Sequence, residues 1–229
     1  MGDRLSYDRL IRELAVGSDA ALFFVDYTLS PEAQFPGQNE QAYAALASIA
    51  ANASRYGIDA SRMAVVGDGS GGNMAAATAL ITNLRNGPSL ALQVLLYPIL
   101  SDVSDNLSYR NFADITTLTA ADVAYFLDNY LPGLQSHQQI TAFPLKASIQ
   151  ELSGVASALI VAAEYDILQQ ENEEYARKLA AAGVSVNYRC YRGALHGFVT
   201  LDALAGSRCA RAALRQTTRT LHKVLHSRS

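Results

Sequence analysis

Short apolar runs alternate along this chain with segments of helical periodicity. Residues 20–27 (AALFFVDY) form an apolar run of strand length, and Ser30-Pro31 ends it. From Pro36 to Tyr56, Ala42, Leu46, Ile49, Ala50 and Ala53 recur at three- and four-residue spacing, which predicts a helix stopped by Gly57. Residues 62–67 predict a second strand and, after a turn at 68–72, residues 73–84 a helix of small side chains. A third strand is expected at 91–99, with Pro98 as its stop, and a fourth at 158–165. The polar stretch 101–152 between them holds one predicted helix near 120–131. A helix over 171–182, a more alternating fifth strand at 184–192 and a last helix over 202–226 complete the pattern. Apolar strands each followed by a helix predict an α/β fold, a mostly parallel sheet with helices on both faces. No repeat, linker or low-complexity segment divides the chain, so a single domain over residues 1–229 is expected, with an insert at about 101–152.

Composition narrows the function. Half of the 229 residues are hydrophobic and 17% are charged, enough for a large core and too apolar for disorder. Eighteen basic and 21 acidic residues leave a net charge of −3, which argues against nucleic acid as a partner. No apolar run approaches the roughly 18 residues that span a bilayer. Charged residues at Asp3, Arg4, Asp8 and Arg9 do not read as a secretory leader. Cys190 and Cys209 suit neither a disulfide framework nor a metal-ligand spacing. The expectation is a cytoplasmic protein with no membrane span.

The turn after the second strand carries the chemistry. In VVGDGSGGNMAAA an apolar strand passes through a glycine-dense turn into a helix. Gly67, Gly69 and Gly72 fit the spacing of a dinucleotide-binding turn, but the next strand ends at Tyr97-Pro98 without the acidic residue that fingerprint needs. A phosphate-cradling loop needs Lys after its last glycine, where Asn73 stands. A nucleophile elbow, which lifts one residue above the sheet on a tight turn, remains.

The segment resembles the G-D-S-x-G-G-N signature of the hormone-sensitive-lipase-like esterases, the third α/β-hydrolase group. DYTLSPE at 26–32, YPILSD at 97–102, AEYDIL at 163–168 and GALHGF at 193–198 are similar to that family in the same order. The resemblance implies Asp166 as the acid that orients the base and His196 as the base, in the elbow–Asp–His order of the fold. It implies no metal and no organic cofactor. It also implies that the insert lines an acyl or alcohol pocket with Tyr109, Leu118, Phe126 and Tyr130; plain packing of the insert onto the sheet is the alternative for each.

Two departures stand against the resemblance. The family's nucleophilic Ser aligns with Gly69. Ser70, one step on, points elsewhere along an elbow, and the resemblance gives its backbone N–H half of an oxyanion hole. Gly at this strained position eases the fold and disables acyl-enzyme chemistry, at a cost of about 10⁶ in kcat. The family also carries an H-G-G-G oxyanion loop, and a strand before it, upstream of a segment resembling Met1-Gly2-Asp3…Tyr7-Asp8-Arg9-Leu10. Met1 therefore matches an internal position, and the sheet is expected to lack the family's N-terminal strands. Its two halves must then close on each other, or a second copy (a homo-oligomer) or another partner must complete the sheet.

Three functions follow. The first is a carboxylic-ester hydrolase acting on a small acyl or alkyl ester, impaired by Gly69 and the missing loop. The second is a lyase, cyclase or isomerase using Asp166–His196 as general base. The third is a non-catalytic binder of a small apolar ligand or a partner protein. The basic stripe Arg208, Arg211, Arg215, Arg219 and Lys223 reads as a solvated helix face.

Overall fold

In the computed structural model, which describes residues 4–114 and 117–227, four strands form one parallel sheet. They are β1 Ala64–Asp68, β2 Leu92–Leu96, β3 Ala158–Tyr165 and β4 Val186–Leu195, and their spatial order is their chain order. Val66 lies opposite Val94, and Leu95 opposite Ile160. The predicted strands at 62–67, 91–99, 158–165 and 184–192 are all present, with ends moved by a few residues. The helices are α1 Asp8–Ser18, α2 Gly37–Ala51, α3 Ala53–Tyr56, α4 Gly69–Leu84, α5 Leu107–Phe112, α6 Ala120–Tyr130, α7 Ile149–Leu152, α8 Gln169–Ala181, α9 Asp202–Ala205 and α10 Arg208–His226.

Side-chain alternation splits the core between the two faces of the sheet. Leu92, Val94 and Leu96 of β2 and Leu159, Val161 and Ala163 of β3 meet α1 and α10 through Leu10, Leu14, Ala213, Leu214 and Leu221. Leu95, Ala158 and Ile160 face the other way, onto Ala76 and Leu80 of α4 and Tyr175 and Leu179 of α8. The alanines of α4 are buried all round, which lets that helix lie close on the sheet.

The run at 20–27 is a correction to the expected strand. It forms no regular element and makes no ladder with the described strands, and β1 is an edge of the sheet. A groove of about 520 Å³ separates the two, lined by Leu22, Phe24 and Val25 on one side and Ala64 and Val66 on the other. An apolar run becomes a strand only where a neighbour accepts its backbone hydrogen bonds. Helix α1 has no counterpart among the predicted elements, because only Leu10 and Leu14 mark its buried stripe. The Met1-Gly2-Asp3 part of the family match lies outside the described residues. The insert at 101–152 holds α5, α6, α7 and two short 3₁₀ turns, where one helix was expected.

Candidate active site

The turn between β1 and α4 is set by glycines. A Cβ on Gly67 would stand 2.0 Å from the Gly71 carbonyl oxygen, and one on Gly72 would stand 2.9 Å from Pro98. Both contacts are too close for any side chain, so the chain can turn this sharply only with glycine there. Gly69 sits at the apex with φ +51°, a left-handed conformation that strains other residues. Its carbonyl accepts from the Ile99 N–H at 3.1 Å. Asn73, where a phosphate loop would carry Lys, donates to the carbonyls of Ile99 and Ala142 at 2.9 and 2.8 Å. This buried amide ties the turn to the loop after β2 and to the insert.

The loops after β3 and β4 bring Asp166 and His196 to the same end of the sheet. Asp166 is 1% exposed and accepts the Leu168 N–H at 3.0 Å with one oxygen. Its other oxygen lies 2.8 Å from His196 Nδ1. This orients the ring with Nε2 toward the turn, where a Cβ built on Gly69 would lie 3.5 Å away. The seat for a side chain between turn and base is therefore present, and Gly69 leaves it bare. Ser70 is exposed, and burial pushes up the Tyr27 phenol while the Ser70 hydroxyl opposes that shift. The Ser70 N–H belongs to the first turn of α4, where amides have no acceptor within their helix.

Residues 1–200 match the α/β-hydrolase fold family. The carboxylesterase NlhH of Mycobacterium tuberculosis is 36% identical over 200 residues, 87% of this chain and 63% of its own length. A putative α/β hydrolase of Acanthamoeba polyphaga mimivirus is 32% identical over 207 residues, 90% of this chain and 60% of its own. A thermostable esterase from Pseudomonas putida superposes with TM-score 0.97 at 41% identity, covering 99% of this chain and 71% of that one. The chain belongs to the α/β-hydrolase fold family, in its esterase group. It spans about six-tenths of the length of these two sequence relatives.

Within this hydrolase fold the four expected pocket residues part company. Tyr109 and Leu118 are buried with Ile99, Val123, Ile167 and Leu168, behind the Asp166 loop, and Phe126 packs on the edge of that cluster. Tyr130 packs instead with Phe35 and Phe143, and donates to Asn39 Oδ1 at 2.7 Å.

Other groups surround His196. Thr117 donates to the His196 carbonyl at 2.6 Å. The Tyr97 ring stands edge-on to the His196 ring, centroids 4.9 Å apart. The Tyr97 hydroxyl lies 2.7 Å from Thr200 Oγ1, which donates to Asp68 at 2.8 Å, and Tyr7 adds a longer bond of 3.3 Å to the same oxygen. Burial pushes the Asp68 carboxyl up, and the two hydroxyl donors oppose that shift. Only the match of YPILSD to the family pointed toward Tyr97; Thr117 and Thr200 sit in loops where a lone Thr carries no signal. Among the described residues no helix is long and apolar enough to cross a membrane.

Proposed function

We propose that this chain carries the acid–base half of a carboxylic-ester hydrolase for a small acyl or alkyl ester, impaired in this form because Gly69 holds the nucleophile's position. The observation that supports it is the alignment of Asp166, His196 and the bare seat at Gly69, with the base 3.5 Å from where a side chain would begin. With Ser at that position, His196 would take the hydroxyl proton as it attacks the ester carbonyl. It would return the proton to the leaving alcohol, and the resulting acyl-enzyme would then be hydrolysed by water. Asp166 would hold the imidazole tautomer and stabilise the imidazolium. The Ser70 N–H would supply one oxyanion donor, and each further donor that is lacking costs about 10²–10³ in kcat.

The test is hydrolysis of short-chain p-nitrophenyl esters by the parent, Gly69→Ser, His196→Ala and the double variant, with fluorophosphonate labelling as a second readout. Gly69→Ser should gain turnover that His196→Ala removes, and should be labelled at position 69. Absence of both turnover and labelling in Gly69→Ser would overturn the reading. Parent turnover that His196→Ala abolishes would favour a second reading, in which the intact dyad works as general base on water or on a substrate C–H.

The insert residues Tyr109, Leu118, Phe126 and Tyr130 are proposed as walls of the acyl or alcohol side, or of an apolar ligand pocket. The groove beside β1 supports a further proposal: an extended segment from a second copy or a partner chain pairs with that open edge. Cys190 and Cys209 are both free thiols, which suits a cytoplasmic setting.

A further inference from the structure

Helices α1 and α10 run side by side in the same direction, so their C-terminal ends meet far from the candidate active site. Glu13 pairs with Arg211, and four residues on, Gly17 lies against Thr218. A Cβ on Gly17 would stand 2.6 Å from Thr218 Cγ2, so this approach depends on glycine. It brings the last carbonyls of α1 onto the final two turns of α10, where His222 and His226 share one face at i,i+4 spacing. Their ring centroids are 4.5 Å apart. His222 Nδ1 lies 3.2 Å from the Ser18 carbonyl, and His226 Nε2 lies 3.1 and 3.0 Å from the carbonyls of Ser18 and Asp19. Asp19 caps α1 at φ 53° and ψ 45°, and its carboxylate completes the group. One ligating atom from each of Asp19, His222 and His226 lies within 4.8 Å of the others.

We infer that Asp19, His222 and His226 bind one divalent cation of the zinc class, which clips α1 to α10. Two imidazoles and a carboxylate are a donor set that zinc prefers, and three protein ligands leave one position for water. A ring nitrogen hydrogen-bonded to a backbone carbonyl fixes the tautomer and leaves the opposite nitrogen with its lone pair, the outer-shell arrangement of metal-bound histidines. The negative ends of two helix dipoles also converge on this point, which favours a cation further. The clip joins residues some 200 apart in the chain, between the two helices that cover one face of the sheet.

The test uses the full chain, free of any affinity tag and stripped of metal, titrated with zinc chloride by calorimetry. One equivalent should bind, and zinc should raise the Tm because it binds the folded state through both helices. His222→Ala and His226→Ala should each weaken binding at least about tenfold, and the double variant should lose both binding and the Tm shift. Asp19→Asn tolerates the same backbone conformation, so its loss of affinity reads the carboxylate alone. All three positions are exposed, and unchanged far-UV circular dichroism confirms that the variants fold. His196→Ala should titrate like the parent. Absence of zinc binding, equal binding by the double histidine variant, or loss of binding in His196→Ala would each overturn the assignment.

Discussion

Gly69 and Gly67 are both glycines of one turn, yet different forces hold them. Gly69 has room: the nearest atom to an added Cβ is His196 Nε2 at 3.5 Å, and only the φ of +51° resists substitution. Gly69→Ser should therefore cost only about 1–2 kcal/mol, in backbone strain. Gly67 has no room, because a Cβ would collide with the Gly71 backbone at 2.0 Å. Gly67→Ala should cost more than about 3 kcal/mol, since the turn itself must move. Urea unfolding of both variants checks the ranking, and equal midpoints would contradict it. Glycine at position 69 thus spares the turn the strain that its left-handed conformation would impose on another residue.

Helix α8 fastens the candidate site through buried hydrogen bonds. Its first turn buries Glu171, which accepts the Leu100 N–H at 2.6 Å, and Asn172, which donates to the Pro98 carbonyl at 2.7 Å. Both fasten the loop after β2, whose Ile99 N–H bonds to Gly69. Burial, with Asp166 nearby, pushes the Glu171 carboxyl well above its ordinary 4.5. Between the ordinary and the raised value the folded state binds more protons than the unfolded state. Stability therefore falls as pH rises through that window. Glu171→Gln keeps the acceptor for Leu100 and carries no such proton. Its urea midpoint should fall less than the parent's as pH rises above the ordinary carboxylate range; an equal decline would show that Glu171 does not titrate this way. The sequence pattern located α8 to within two residues, because its apolar positions recur at helical spacing. It could not show Glu171 as buried, since an acidic residue in a first helical turn normally reads as a solvated one.

At the scale of the molecule, helices cover both faces of the sheet, and β1 and β4 are its edge strands among the described residues. β2 and β3 have a strand on each side, whereas β1 is bonded on one side and meets the groove on the other. Amides of β2 and β3 should exchange slowest with deuterium, and the amides of β1 that face the groove should exchange markedly faster. Hydrogen exchange read by mass spectrometry checks this, and uniform protection across the three strands would mean that the edge is covered in solution. The same exchange map, taken at rising protein concentration, tests whether a second copy supplies the cover.

The periodicities and the glycine-dense turn were enough to predict a parallel α/β sheet and a tight turn after β1, and the resemblance to the esterases named Asp166 and His196 as candidates. These features are local: apolar strand runs, helix spacing and turn chemistry depend on neighbours in sequence. What needed the tertiary structure was everything set by distance between remote segments. The 2.8 Å bond between Asp166 and His196, the bare seat at Gly69, the unpaired run at 20–27 and the convergence of Asp19 with His222 and His226 are all of this kind. An apolar run of eight residues looks the same with or without a partner strand. A histidine pair on a helix looks the same until another helix ends beside it. Local propensity shapes each element, and only packing decides which elements meet.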